Sequence, residues 1–258
     1  MRRFIAFVLV LVLCLSLSAC GKSKAAKEAE AAIEAIGEVT IDSGEAIKNA
    51  EKLYNILTDS EKEDVNNRLM LVDAQEEFAA LQSEATYENA KKAYEALNEV
   101  AAMCVSGMDA VYGGWYYGIY ESNAKYGVTF YALSLDVPGF SSSEIEDAAK
   151  VIGISESSLK GKWQNCLNVV LAAIELRGDY DTIKDKMTAA ENILQELTST
   201  YDDYTYYPKL KSYYSAVSSY VNFYKNPTGS FNQLADTVKE YENAIRTYEA
   251  DVSFLFSK

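Results

Sequence analysis

The chain contains no histidine among its 258 residues. It therefore lacks the side chain that most often serves as a general base or as an imidazole metal ligand. Triads of the Ser-His or Cys-His kind are excluded, and so are the usual zinc sites. Positive charge is scarce too: 24 Lys and Arg stand against 38 Asp and Glu, a formal charge of −14. Nucleic-acid recognition needs a basic face, so no nucleic-acid partner is expected. No window sustains apolar–polar alternation of period two, so essentially no sheet is expected. No apolar run reaches the roughly 20 residues of a membrane-spanning helix. The longest, Phe4 to Leu17, has 14 and is interrupted only by Ser16. Cysteine occurs four times, as Cys14, Cys20, Cys104 and Cys166.

That short apolar run follows Arg2 and Arg3 and ends in Leu17-Ser18-Ala19-Cys20-Gly21. A basic start, an apolar middle and a small-residue end form the layout of an export signal. Leu17-Ser18-Ala19-Cys20 resembles the bacterial lipobox at each position. The resemblance implies that the Cys20 thiol takes a diacylglyceryl group and that the chain is cut after Ala19. Two acyl chains anchor stably, whereas one binds only marginally. The expected setting is the extracytoplasmic face of a cell membrane. Residues 1–19 are then a signal peptide, and residues 20–28 are a small, basic tether whose lysines can meet anionic headgroups. The mature chain keeps 239 residues, with 22 basic against 38 acidic, a charge of −16. This length suffices for one or two cores. The acid excess reads as a solvated helical surface.

The remainder carries helical spacing throughout. Ile47, Ala50, Leu53 and Leu57 follow Asp42 and Glu45, which are placed as a capping box. Thr58 and Glu61 form a second box, and Val65, Leu69, Val72 and Leu81 predict another helix with Ala74 and Phe78 beside it. From Tyr87 to about Tyr131, Tyr94, Leu97, Ala101, Cys104, Met108 and Val111 recur at three or four. Gly107, Gly113, Gly114 and Gly118 stand out there, since each costs about 1 kcal/mol in a helix relative to alanine. They admit the close approach of a neighbour or mark a break near 113. Asp136-Val137-Pro138-Gly139 is a turn. Ser143 and Glu146 suggest a box opening a helix that stops at Gly153, and further helices are expected over about 155–176 and 180–197. Residues 198–207 read as irregular, with Pro208 in the first turn of the next helix. Leu210, Tyr213, Tyr214, Val217, Tyr220, Val221 and Tyr224 make its apolar stripe. After Asn226-Pro227-Thr228-Gly229, the residues Phe231, Leu234, Val238, Tyr241, Ile245, Tyr248, Val252 and Leu255 alternate three and four. That seam predicts a final helix antiparallel to the one before it.

Residues 36–43 (Ile-Gly-Glu-Val-Thr-Ile-Asp-Ser), with Ala46, Ile47, Ala50, Tyr54, Leu57, Thr58, Lys62, Val65 and Asn66, resemble a small helical-hairpin module. Such modules recur in surface proteins and lipoproteins of Gram-positive bacteria, often as spacers. The likeness covers about residues 30–82, roughly a fifth of the chain. It implies an extracellular, Gram-positive setting and carries no catalytic residue. The expected organisation is a hairpin module over 29–84 followed by a tyrosine-rich bundle over 85–258, where 17 of the 20 tyrosines lie beyond residue 110. The expected fold is all-α: an N-terminal helical hairpin followed by an elongated antiparallel helical bundle, with no significant sheet.

Trp115, Tyr116, Tyr117 and Tyr120 form the cluster most like a ligand site. Aromatic faces stack on sugars or planar groups, yet large aromatics more often fill cores. Four within six positions cannot share one helical face, so some are expected in the open. Asp179, Asp181 and Asp185 are spaced like the start of a calcium loop, but Lys184 and Ala190 stand where Gly and Glu are needed. Ser157 and Lys160 have the Ser-x-x-Lys spacing of penicillin-interacting enzymes without the companion signatures. Acidic pairs such as Glu146-Asp147 and Asp202-Asp203 are expected by chance in so acidic a chain. The tyrosines from Tyr201 to Tyr214 form either a binding lip or a bundle wall. Cys104 and Cys166 can pair in an exported protein, or stay as buried apolar thiols. No metal or cofactor is expected.

The functional expectation is a non-enzymatic, lipid-anchored surface protein that binds an unidentified protein or small ligand. The alternatives are a glycan-active enzyme with two carboxylates across one cleft, and an assembly role for the last helix through its seam.

Overall fold

The computed structural model describes residues 22–122, 128–201 and 205–257. Cys20, Asp202 and Asp203 lie outside them. The described residues are helical, with turns between, and contain no strand. The chain divides into two compact units, one up to Ala85 and one from Thr86 onward.

The first unit contains α1 (Lys24–Glu34), α2 (Gly44–Asn55), α3 (Asp59–Glu63) and the start of α4 (Arg68–Tyr116). Ser23 caps α1 by accepting from the Ala26 amide at 3.0 Å. Ala26, Ala29 and Ile33 then face inward from α1 and meet Ile47, Ala50, Leu57, Val65, Leu71 and Ala74 in a small core. Thr58 and Glu61 form the expected capping box, but it opens a helix of only five residues. The backbone N–H of Asn66 donates to Glu30 Oε1 at 2.7 Å, and Asn67 Nδ2 donates to the Glu30 carbonyl at 2.9 Å. These bonds tie the link before α4 to α1.

Two expectations change here. The cap of α2 is Ser43, not Asp42, and it makes no side-chain bond to the helix. Its hydroxyl accepts from the Thr40 amide at 2.9 Å, closing the turn before the helix. The inward stripe of α4 is Leu71, Ala74 and the half-buried Phe78, while Leu69 is 73% exposed. Starting the helix at Arg68, after the short α3, turns Leu69 outward.

The second unit is a bundle around the remainder of α4. Its other elements are α5 (Phe130–Asp136), α6 (Ser142–Val151), α7 (Trp163–Leu176), α8 (Asp179–Ser199), α9 (Tyr207–Lys225) and α10 (Phe231–Ser253). Cross-contacts fix their directions. Trp163 stacks on Trp115 at 5.1 Å, Lys186 pairs with Glu99, and Asn89 bonds Glu196 at 3.5 Å. So α7 and α8 run along α4 in succession and antiparallel to it, with Gly178 at φ 81° bending the chain between them. Tyr206 lies 6.3 Å from Tyr87, and the Tyr213 hydroxyl donates to Asn98 at 2.6 Å, so α9 is parallel to α4. Tyr94 donates to Glu249 at 2.6 Å and Tyr112 lies 4.7 Å from Phe231, so α10 is antiparallel to α4. Tyr220 and Phe223 both pack on Tyr241, and α9 and α10 are antiparallel. Leu234, Ile245 and Val252 of the seam are buried in this bundle.

Gly107, Gly113 and Gly114 of α4 and Gly118 just beyond it serve close approach, and there is no break at residue 113. A Cβ on Gly113 would overlap the Asp136 carbonyl, one on Gly107 the Tyr224 ring, and one on Gly118 would sit 2.5 Å from the Trp163 Cα. The helix continues into a π-helical turn, Tyr117–Glu121, closed by the Ser122 amide on the Tyr117 carbonyl at 2.8 Å. Such turns insert one extra residue into a helical ladder.

The start of α6 also moves. Ser141 and Glu144 form the capping box, two residues before the expected pair. Phe140 and Ile145, both buried, occupy the flanking positions of a hydrophobic staple, which the Ser143 alternative would lack. The expected helix over 155–176 is split. A 3-10 turn at Glu156–Ser158 is separated from α7 by Gly161 at φ 65°.

Candidate functional site

The helical repeat separates the four aromatic residues singled out above. Trp115 is buried at 4% exposure, stacked on Trp163 with the rings 10° apart. Tyr117 is also buried at 4%, and desolvation pushes its hydroxyl above the ordinary range for tyrosine. These two belong to the core, a correction to their place in a ligand cluster. Tyr116 and Tyr120 are exposed, at 38% and 56%.

The exposed pair belongs to a larger row that sequence reasoning missed. Tyr112 lies one step of four before Tyr116 on the same face and is also exposed. Phe231, the first residue of α10, packs against all three, with centroids 4.7 Å from Tyr112, 6.3 Å from Tyr116 and 5.9 Å from Tyr120. Tyr116 and Tyr120 are 5.0 Å apart with rings tilted by 42°. The spacing Tyr112-Tyr116-Tyr120 was legible as an i, i+4, i+8 stripe. Phe231 had no signal beyond its place in the seam.

Beside the row, α4 and α10 enclose an open groove of about 290 Å³. Met108, Asp109 and Tyr112 line it from α4, and Ala235, Val238, Lys239 and Glu242 from α10. Arg246 holds Glu242 at 3.1 Å. Tyr220 of α9, stacked on Tyr241 of α10, is fully buried, and its hydroxyl has no hydrogen-bond partner among the described residues. Burial, then the nearby charges of Glu242, Cys104 and Asp109, push that hydroxyl far above its usual titration range.

Tyr224 is likewise fully buried with an unpartnered hydroxyl. A buried, unpaired hydroxyl costs about 1–3 kcal/mol in lost hydration. Tyr224→Phe is therefore expected to leave the melting temperature unchanged or raise it by a few degrees. A clear fall in a calorimetric scan would mean that a water or ligand satisfies the hydroxyl.

The remaining candidates lie elsewhere. The Asp179 carboxylate is held by Arg177 at 2.9 and 2.6 Å, while Asp181 and Asp185 are exposed. No three His, Cys, Asp or Glu gather as a metal site among the described residues. Ser157 and Lys160 are exposed at the broken start of α7. Glu146 and Asp147 both bond Lys150. Of the later tyrosines, Tyr213 is a buried wall, whereas Tyr207 and Tyr214 line a second groove of about 190 Å³.

Cys104 and Cys166 are free and buried. Desolvation pushes their thiols up to about 12 and about 11. Only thiolate reacts, so Cys104 and Cys166 are expected to resist iodoacetamide in native protein at pH 8 and both to be labelled in denaturant, as peptide mapping would show. Fast native labelling would show that the bundle opens.

No known protein family, curated protein or solved structure matches the chain. No helix among the described residues is long and apolar enough to cross a membrane.

Proposed function

We propose that this chain is a lipid-anchored, non-enzymatic binding protein on the extracytoplasmic face of a Gram-positive cell, and that the tyrosine row of α4 is its binding face. The observation that carries the binding face is the exposure of Tyr112, Tyr116 and Tyr120, gathered against Phe231 instead of packed inside the bundle. Tyrosine contributes a large contact area at low conformational cost and keeps a polar edge for hydrogen bonding. The anchoring part rests on the signal layout and on Leu17-Ser18-Ala19-Cys20. The hairpin likeness supports the Gram-positive setting.

The two parts have separate tests. Labelled palmitate should enter the wild-type chain and not Cys20→Ala; label retained in the variant would remove the anchor. A photo-crosslinking residue at position 116 or 120 should capture its partner on intact cells, whereas one at exposed Tyr131 should not. Equal capture at all three positions would remove the binding face.

A further inference from the structure

The lining of the α4–α10 groove points to a particular ligand chemistry. Two carboxylates, Asp109 and Glu242, face it from opposite helices, and Lys239 adds a donor. This mixture of signs suits neither an anion nor a simple cation. It matches a neutral molecule rich in hydroxyl groups, which can donate to the carboxylates and accept from the lysine. Met108, Ala235 and Val238 supply an apolar floor.

The aromatic row extends the same surface. Tyr112 and Tyr116 are about 6 Å apart along the axis of α4, and the Tyr116 and Tyr120 rings are 5.0 Å apart, spacings on the scale of neighbouring rings in a linear oligosaccharide. Pyranose faces are C–H surfaces, and they pack on aromatic rings as apolar groups do. The groove volume, about 290 Å³, lies at the small end for ligand sites, which suits one or two sugar rings.

We propose that this groove and row form a carbohydrate-binding site for a neutral oligosaccharide, with sugar faces on Tyr112, Tyr116 and Tyr120 and hydroxyl groups on Asp109, Lys239 and Glu242. The proposal rests on the reading of the row as a binding face and names its ligand class.

The test uses the full-length protein in a sugar-free zwitterionic detergent, titrated with cellotetraose and chitotetraose while tryptophan fluorescence is followed. Trp115 stands one residue from Tyr116 and 6.3 Å from Phe231, so it reports on the site. Saturable binding is expected. Tyr116→Ala and Asp109→Asn should each weaken it roughly tenfold, as loss of one stacking or charge-assisted contact does. Tyr131→Ala should not change it, and all melting curves should overlay. Spermine is the cationic control, and its binding in place of the sugars would overturn the proposal in favour of an organic cation. No saturation by either sugar, or saturation that survives Tyr116→Ala, would overturn it as well. Position-specific crosslinking at 116 without sugar binding would overturn the sugar assignment and leave the binding face standing. Failure of both would end both.

Discussion

Gly113→Ala is expected to destabilise the second unit by about 2 kcal/mol or more, although alanine is the best helix former. In an exposed helix the same change should stabilise by about 1 kcal/mol. Here the new methyl group would overlap the Asp136 carbonyl, with Pro138 Cδ 3.4 Å away. The obstacle is backbone, held by the end of α5 and by the turn through Pro138 and Gly139, so no side-chain rotation relieves it. Urea unfolding followed by circular dichroism measures the difference. A stabilising result would mean that α5 does not lie on α4 as described. Gly37→Ala provides a contrast: no atom lies near a Cβ there, and the strain comes only from φ 63°. Its cost should be smaller and confined to the first unit.

Arg177→Ala is expected to have the second large effect, again about 2 kcal/mol. Arg177 closes α7 and holds Asp179, which opens α8, through two parallel bonds of 2.9 and 2.6 Å. Its third arm donates to the Gly139 carbonyl at 2.9 Å, and its Cζ lies 3.9 Å over the Phe140 ring. Asp179 is only 8% exposed. Removing the guanidinium leaves a nearly buried carboxylate alone, a loss of about 3–5 kcal/mol for a fully buried pair. The effect is reduced here because the Arg177 side chain is 34% exposed. Arg177→Lys should recover part of the charge but not the fork or the stacking. If the lysine variant matches wild type in thermal unfolding, simple charge explains the interaction and the geometry does not matter.

Element type was legible almost throughout, because the apolar residues recur at helical spacing. The seam of α10 and the stripe of α9 were read from spacing alone, and Leu210, Val217, Leu234 and Ile245 are buried as those patterns require. Element limits were less legible where two local signals competed. Ser141-x-x-Glu144 and Ser143-x-x-Glu146 are both capping boxes in sequence, and Phe140 decides between them by packing. Gly161 ends one turn and precedes another, a left-handed residue hidden in a polar stretch. The glycines at 107, 113, 114 and 118 could signal a break or a contact, and only the neighbouring elements distinguish the two.

The site was half legible. Tyr116 and Tyr120 were identified, but Trp115 is buried against Trp163 of α7 and Tyr117 is buried in the same core. Nothing in spacing alone shows which side a neighbour will cover. Tyr112 was missed, although periodicity could have found it, since it stands one step of four before Tyr116. Phe231 could not be found in that way, because the residue that completes the row comes from a helix more than a hundred positions later in sequence. Pairings that depend on such long-range contacts are the part of a site that local patterns do not encode.

The parallel placement of α4 and α9 has a consequence for the order of assembly. Tyr94 of α4 is closed over by Tyr213 of α9 and by Glu249 and Phe256 at the far end of α10. A ribosome delivering the chain from its first residue therefore makes α4 long before the surfaces that cover it. Until α10 emerges, the part of α4 that it covers stays open although α7, α8 and α9 have already been made, and the second unit has no complete core. Non-local closure of this kind slows folding relative to a bundle of sequential neighbours.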